Sequence, residues 1–239
     1  MNAPTSKQHL APAYIFSPPP AVSLPVQGEA ARFAVNRIFC VGRNYADHAK
    51  EMGHDPSREP PFFFMKPAST IVSDGGHFPY PALSKDVHHE IELVVCLSQG
   101  GKNISADQAL SHVYGYAVGL DMTRRDLQSE AKKMGRPWDT GKAFDHSAPC
   151  GTVLPAAQCG HLAQGVVVLT VNGQPRQSGD LKDLIWNVPE TIAYLSTLFE
   201  LSTGDLIYTG TPAGVGPVVA GDVMLARIAG LPDLAINVV

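Results

Sequence analysis

The chain has 239 residues, of which 44% are hydrophobic and 17% are charged, and its formal net charge is −4. This composition is that of one large globular domain, or of one domain with an appended arm. The slightly acidic balance argues against a broad binding surface for nucleic acid or for an anionic membrane. No stretch approaches the roughly 20 apolar residues that cross a bilayer, and residues 1–10 lack the apolar segment of a secretory signal. We therefore expect a cytoplasmic protein.

Glycine and proline, with 22 and 20 residues, are plentiful and dispersed along the chain. They divide it into many short elements, which favours a β-rich fold of the α+β class over a helical bundle. Residues 1–31 include Pro18, Pro19, Pro20 and Pro25. Because proline disrupts helices and central strands, these residues are expected to form an arm and a first short strand. Residues 32–239 are expected to form a single domain.

The pattern of apolar residues and turn signals predicts the regular elements. Strands are predicted at 34–41, 62–65, 90–97, 114–120, 166–171, 205–208 and 221–228. Helices are predicted at 44–52, 106–112, 123–134 and 189–199. The dipeptide Asn172-Gly173 follows one of these strands, and it is the strongest two-residue signal for a hairpin turn.

The cysteines are scattered, without a C-x-x-C pair, at positions 40, 96, 150 and 159. A chain of this size builds its own core and does not need a disulfide framework. We expect free thiols, and the short spacing between Cys150 and Cys159 leaves that one bridge open.

Two acidic residues occur within an apolar strand pattern. In the strand predicted at 90–97, Glu90 and Glu92 share one face while Ile91 and Leu93 point to the other. Two carboxylates on one face repel each other unless a positive charge lies between them, and Asp121 closes the next predicted strand. All-oxygen ligands select Mg²⁺, Mn²⁺ or Ca²⁺. The pattern alone is also typical of a solvated strand face.

A second group of residues suits proton transfer. His48 and Glu51 are three residues apart on the predicted helix, so they share a face. A carboxylate that orients an imidazole builds a general base, although a surface ion pair has the same spacing. Lys142 is a candidate donor to an oxyanion, as is Lys66, and solvated surface lysines are the alternative.

The run 208–217 is rich in glycine and hydroxyl residues, and such a turn offers backbone amides that would hold a carboxylate. It lacks the G-x-x-x-x-G-K-[ST] pattern of a phosphate loop. The chain contains no G-x-S-x-G element and no cysteine in a nucleophile signature. Covalent serine or cysteine catalysis is therefore unsupported.

Taken in chain order, these segments resemble the fumarylacetoacetate hydrolase family, and within it the acylpyruvate-hydrolysing branch. The matching stretches are 40–52, 63–67, 88–93, 119–128, 138–144, 171–173, 176–177 and 204–216. The resemblance implies a mixed β-sandwich roll with short helices, a catalytic domain at 32–239 and a homodimer. It implies an Mg²⁺ or Mn²⁺ ion held by Glu90, Glu92 and Asp121. It places the water-activating dyad and the oxyanion donor at His48, Glu51 and Lys142. It places substrate contacts at Arg43, Arg125, Gln128 and Thr211.

The activity implied by this resemblance is metal-dependent hydrolysis of a C–C bond in a 2,4-dioxo acid, with fumarylpyruvate the expected substrate. A second substrate carboxylate would need a cation, for which Arg43, Arg124 and Arg125 are candidates. Acetylpyruvate or acylpyruvate hydrolysis, oxaloacetate decarboxylation and isomerisation of 2-hydroxymuconate-type diacids use the same metal site. A non-catalytic metal-binding structural protein is a further alternative, and it would be expected to lose the dyad or the lysine.

Overall fold

The computed structural model of the protein describes residues 13–46 and 59–239. Its strands are β1 Ser23–Leu24, β2 Phe33–Ala34, β3 Ile38–Gly42, β4 Phe62–Lys66, β5 Ile71–Ser73, β6 His77–Phe78, β7 Val87–His89, β8 Ile91–Leu97, β9 Val113–Leu120, β10 Thr123–Arg124, β11 Ala148–Cys150, β12 Leu154–Pro155, β13 Val166–Val171, β14 Gln174–Asp180, β15 Leu206–Tyr208, β16 Gly216–Val218, β17 Val223–Ile228 and β18 Leu234–Val238. Its helices are α1 Arg125–Met134, α2 Asp139–Lys142, α3 Ala156–Cys159 and α4 Val188–Leu198, with 3₁₀ turns at Ala68–Thr70, Ala109–His112 and Leu181–Asp183.

Two sheets account for most of these strands. The large sheet has the order β4-β3-β15-β8-β9-β11-β5, with β12 also paired to β9, and the second sheet has the order β14-β13-β17-β18-β6. Leu93 of the large sheet and Leu169 and Met224 of the second sheet belong to one buried cluster, so the two sheets enclose the main core. The predicted β-rich α+β class and sandwich architecture are confirmed.

Several predicted elements are confirmed, with ends that match or that move by one or two residues. They are the strands β4, β9, β13, β15 and β17 and the helices α1 and α4. The hairpin between β13 and β14 is also confirmed. Both turn residues have positive φ, 51° at Asn172 and 75° at Gly173, as a type I′ turn requires.

Other predictions differ from the structure. The strand predicted at 34–41 is divided into β2 and β3, and the helix predicted at 106–112 is only the 3₁₀ turn Ala109–His112. Most of the helix predicted at 44–52 lies outside the described residues. All four cysteine thiols are free, as expected.

Part of the predicted arm lies against the large sheet. β1 pairs with β2 in an antiparallel ribbon, and Leu24 is buried in a second cluster with Cys40 and Tyr208. This cluster covers the face of the sheet opposite the main core. The division into an arm at 1–31 and a domain at 32–239 stays a prediction. In the described parts of the chain, no helix has the length and apolar character of a membrane span.

A buried carboxylate fixes the parallel pairing of β3 with β15. Asp205 is fully buried just before β15, and its Oδ1 accepts hydrogen bonds from Asn36 Nδ2 at 2.8 Å and Arg37 Nε at 3.0 Å. Its Oδ2 accepts from the Arg37 guanidinium at 2.6 Å and from the Ser202 amide at 2.8 Å. The starts of the two strands are therefore tied together. Asn36 and Arg37, which make these contacts, lie between β2 and β3, and this explains why the predicted 34–41 strand is interrupted.

Replacing Asp205 by alanine should lower the free energy of unfolding by about 3 kcal/mol, because a fully buried acceptor is removed and the Asn36 and Ser202 donors lose their partner. Urea denaturation followed by circular dichroism measures this loss. The control is Asp233→Ala, which removes an Arg227 partner at 2.8 Å where both side chains are about half exposed. Its cost should stay below about 1 kcal/mol. Equal costs for the two variants would contradict the prediction.

Candidate active site

Three acidic side chains meet on the floor of a cleft. Glu90 joins β7 to β8, Glu92 is the second residue of β8, and Asp121 directly follows β9. The register of β8 with β9 lets the Asp121 amide donate to the Glu90 carbonyl over 2.8 Å. One ligand oxygen from each carboxylate lies within 4.8 Å of the others, and all three residues are buried. Their role as metal ligands stays a prediction.

Glu90 is the residue between β7 and β8, where the chain passes from one sheet to another, rather than the first residue of a strand. β7 pairs with β10 and β16 in a small sheet, whereas β8 pairs with β9 and β15 in the large sheet. The strand predicted at 90–97 therefore begins at Ile91, because the chain changes sheets at Glu90. Ile91 and Leu93 lie in the main core, as the predicted alternation requires. Glu92 is left on the opposite face, toward the cleft.

Buried cations surround the carboxylates. Lys142 Nζ donates to Glu90 Oε2 at 2.8 Å, to Asp121 Oδ2 at 2.6 Å and to Thr123 Oγ1 at 2.6 Å. Burial opposes the charge of Lys142, but the attraction of Asp121 and Glu90 outweighs it and raises the pKa of the ammonium group. Lys142 is thus a buried member of the site, and its sequence alternative of a solvated surface lysine is wrong.

Two further cations complete this arrangement. Lys66 Nζ lies 2.8 Å from Asp121 Oδ1 and donates to the Met122 carbonyl at 3.1 Å. The Arg125 guanidinium pairs with Glu90 Oε1 and donates to Gln128 Oε1 at 2.8 Å. Lys66 is fully enclosed, so the apolar run of β4 ends in a buried side chain that contacts Asp121.

Glu92 is less fully compensated than its neighbours. Its Oε2 accepts a hydrogen bond from the Gly210 amide at 2.8 Å. Burial, followed by the negative charges of Asp121 and Glu90, raises the pKa of Glu92 well above its ordinary value. A carboxylate in this state favours additional positive charge nearby. The donor set consists of oxygens, which is the preference of a hard divalent cation.

A buried amide links the carboxylate strand to the glycine-rich run. Gln177 Oε1 accepts from the Ile91 amide at 3.1 Å and from His89 Nδ1 at 3.0 Å. Gln177 Nε2 donates to Thr211 Oγ1 at 2.7 Å and to the Pro212 carbonyl at 2.9 Å. Because Thr211 Oγ1 accepts this bond, its own hydrogen is left for another acceptor. Gln177 therefore sets the orientation of a hydroxyl that lines the cleft.

The cleft encloses about 430 Å³ of non-atom space, part of it open to solvent. Its described lining contains all four residues predicted as substrate contacts, which are Arg43, Arg125, Gln128 and Thr211. These contacts stay predictions. Arg124 is not part of the described lining, because its guanidinium lies over the Phe144 ring, 4.3 Å from the ring centre.

The aromatic wall and one lysine of the cleft were not assigned roles from the sequence. The wall consists of Phe62, Phe64 and Trp138, and the lysine is Lys132. Lys132 lies four residues after Gln128 on α1, so the helical period places it on the same face. The four-residue spacing from Gln128 is therefore the sequence signal that could have identified Lys132 as a residue of the cleft. The predicted dyad, His48 and Glu51, lies outside the described residues.

Comparison with known proteins identifies the family of the chain. The family model described as "Fumarylacetoacetate (FAA) hydrolase C-terminal" matches residues 37–239. The chain belongs to the fumarylacetoacetate hydrolase family. It is 48% identical over 184 residues to a fumarylpyruvate hydrolase of Ralstonia sp, covering 77% of this chain and 95% of that protein. It is 42% identical over 196 residues to the mitochondrial oxaloacetate decarboxylase of Dictyostelium discoideum, covering 82% and 89%.

Among solved structures, the chain is similar to fumarylpyruvate hydrolase from Pseudomonas aeruginosa in complex with Mn²⁺ and pyruvate. The TM-score is 0.93 at 52% sequence identity, covering 95% of this chain and 99% of that one. The similarity therefore extends over the fold that carries the carboxylate cluster. The predicted membership of this family is confirmed.

Gln177→Glu should loosen the glycine-rich run. A carboxylate still accepts from the Ile91 amide, but it cannot donate to Thr211 or to the Pro212 carbonyl. Amide hydrogen exchange at residues 209–216 should become about tenfold faster, the expected effect of losing a buried hydrogen bond. Gln174→Glu, at an exposed position of the same strand, is the control. Unchanged exchange in this run, or an equal increase throughout the chain, would contradict the assignment.

Proposed function

We propose that this protein hydrolyses the C–C bond of a 2,4-dioxo acid, converting fumarylpyruvate and water to fumarate and pyruvate. The observation that carries the proposal is the group of three buried carboxylates, with their cations, on the floor of the cleft. Its similarity to a fumarylpyruvate hydrolase over 95% of the chain supports the substrate class, as does the pyruvate bound to that relative.

We propose that Glu90, Glu92 and Asp121 hold Mg²⁺ or Mn²⁺. Their oxygens approach one another closely enough to share an ion, and the raised pKa of Glu92 fits a site that accepts more positive charge. When bound, such an ion would supply Lewis-acid polarisation of the 2-oxo acid end of the substrate and would stabilise its negative charge. The Mn²⁺ in the Pseudomonas aeruginosa relative supports the same ligand class.

The remaining chemistry is assigned to side chains of this chain. His48, oriented by Glu51, would remove a proton from the water that attacks the C4 carbonyl. Lys142, whose charge is maintained by Asp121 and Glu90, would stabilise the oxyanion. Collapse of the tetrahedral species would break the C3–C4 bond and leave its electron pair on C3 as the enolate of pyruvate. Uptake of one proton at C3, which balances the proton that His48 removed from water, would then complete pyruvate. Arg43, Arg125, Gln128 and Thr211 would hold the substrate in place.

A second candidate is oxaloacetate decarboxylation, which is favoured by the 42% identity to the Dictyostelium discoideum enzyme. Decarboxylation and diacid isomerisation do not require an activated water, so His48 and Glu51 favour hydrolysis. A structural metal-binding protein would not need Lys142 or the dyad.

We also propose a cytoplasmic homodimer that acts in gentisate-type aromatic catabolism, with a domain at 32–239 and an arm at 1–31. Light scattering tests the dimer.

One spectroscopic experiment separates the candidate reactions. The ultraviolet absorbance of the enol of fumarylpyruvate, maleylpyruvate, acetylpyruvate and oxaloacetate is followed with Mg²⁺, and with a chelator in its place. Product analysis then distinguishes C–C hydrolysis from release of CO₂. Metal-dependent formation of fumarate and pyruvate is the expected result. Turnover of oxaloacetate alone would establish the second candidate.

Glu92→Gln should abolish the stabilisation that a divalent ion gives to the protein. Ligand binding at 100 times its dissociation constant adds about 2.7 kcal/mol to the free energy of unfolding. Thermal unfolding of the wild type should therefore move to higher temperature with Mg²⁺ or Mn²⁺. Glu130→Gln, on the exposed face of α1, should retain this shift. An equal shift in Glu92→Gln would refute the ligand assignment.

Glu51→Gln should retain that ion-dependent shift and lose turnover by about 10²–10⁴-fold, the usual contribution of a general base. The rate constant is measured at saturating fumarylpyruvate, with Glu130→Gln as the control. Full activity of Glu51→Gln would remove the dyad from the mechanism without affecting the metal assignment.

A further inference from the structure

We infer that Lys132, assisted by Arg43, binds a second carboxylate of the substrate and so selects dicarboxylates over monocarboxylates. This inference rests on the proposed function and extends it to substrate selection. Of the cations considered from the sequence, it retains Arg43 and adds Lys132. Arg124 lies over Phe144 instead of lining the cleft. Arg125 is engaged by Glu90 and Gln128.

The direction of α1 gives Lys132 a suitable distance from the carboxylate cluster. Arg125, Gln128 and Lys132 all line the cleft, and they follow one another along one face of the helix. Arg125 contacts Glu90, whereas Lys132 is seven residues further on, about 10 Å along the axis at 1.5 Å per residue. The two carboxyl carbons of an extended seven-carbon diacid are separated by six bonds, or about 7 Å. Such a chain would extend from the cluster toward Lys132.

Both cations flank the same aromatic wall. Lys132 Nζ lies 4.9 Å from the centre of the Trp138 ring. The guanidinium carbon of Arg43 lies 5.5 Å from the centre of the Phe62 ring, and the Phe62 and Trp138 rings are 5.4 Å apart. A flat conjugated acyl chain would lie against the aromatic wall, with the two positive charges beside it. This combination matches the unsaturated diacid half of the proposed substrate.

In the described part of the chain, the charge of this cation pair is not balanced by an ion pair. Within residues 13–46 and 59–239, no carboxylate forms an ion pair with Lys132 or Arg43. Burial lowers the pKa of Lys132 to about 8, and the charges of Arg125, Arg43 and Lys142 act in the same direction against the opposing effect of Glu90. An anion bound at Lys132 would relieve this excess of positive charge. The half-buried position of the lysine leaves it in reach of the cleft.

The backbone holds Arg43 beside the wall. Its φ of 57° lies in the left-handed region, which is uncommon for a residue with a long side chain. The next residue, Asn44, donates from Nδ2 to the Trp186 and Thr209 carbonyls at 2.9 and 2.8 Å. Asn44 Oδ1 accepts from the Trp186 amide at 2.7 Å. These bonds maintain a conformation that would otherwise be costly, as is common where a side chain has a functional position.

The test compares Lys132→Met with the wild type in the presence of Mg²⁺. The ratio of kcat/KM for fumarylpyruvate to that for acetylpyruvate should fall by about 10- to 100-fold, the effect of losing one charge-assisted hydrogen bond. The change should arise mainly in KM, because the second carboxylate is remote from the bond that breaks. Lys132→Arg should restore most of the ratio. Lys133→Met, at the exposed neighbouring position of α1, should leave both activities unchanged.

Other outcomes overturn the inference. An unchanged ratio, whether both activities fall equally or neither falls, would show that Lys132 does not recognise the second carboxylate. If the wild type hydrolyses neither substrate, the proposed function fails, and the subsite is tested by binding alone. Fumarate should then raise the unfolding temperature of the wild type more than the monocarboxylate crotonate does. Loss of this difference in Lys132→Met would support the subsite, and its retention would refute it.

Discussion

Burial of three carboxylates in one small volume is the constraint on which the arrangement of this fold depends. Removing such charges from water costs several kcal/mol each unless they are paired. The compensating cations come from separate parts of the chain: Lys66 ends β4, Arg125 begins α1 and Lys142 ends α2. The positions of these three elements are therefore coupled to the cluster. The proposed divalent ion would meet a site whose carboxylates are already held in place by protein cations.

Hydrogen bonds from amide side chains fix the loops that surround this cluster. Gln177 joins the backbone of Ile91 to Thr211, and Asn44 joins the end of β3 to the residues around Thr209. Both amides are almost fully buried, so their orientations are set by their partners. These hydrogen bonds therefore anchor the irregular segment around residues 209–211 to the central strands.

The sequence predicts best those features that depend on local pattern. Strand β9, helix α1 and the Asn172-Gly173 turn follow from periodicity and turn chemistry, and the acidic cluster follows from residues close to strand ends. The change of sheet at Glu90 could not be predicted, because an apolar run does not reveal which strands it pairs with. The burial of Lys66 was equally hidden, since it depends on Asp121, a partner distant in sequence.

The positions of floor and wall within the large sheet have a consequence for divergence within the family. Glu92 and Asp121 lie on or beside central strands with neighbours on both sides, whereas Phe62 and Phe64 belong to β4, which ends the order of described strands. A substitution that shifts the backbone of β4 disturbs ladder hydrogen bonds on one side only, whereas a shift of β8 or β9 disturbs them on both sides. Under the proposed function, the residues that would select the acyl group can therefore vary while the proposed metal-binding carboxylates stay in place.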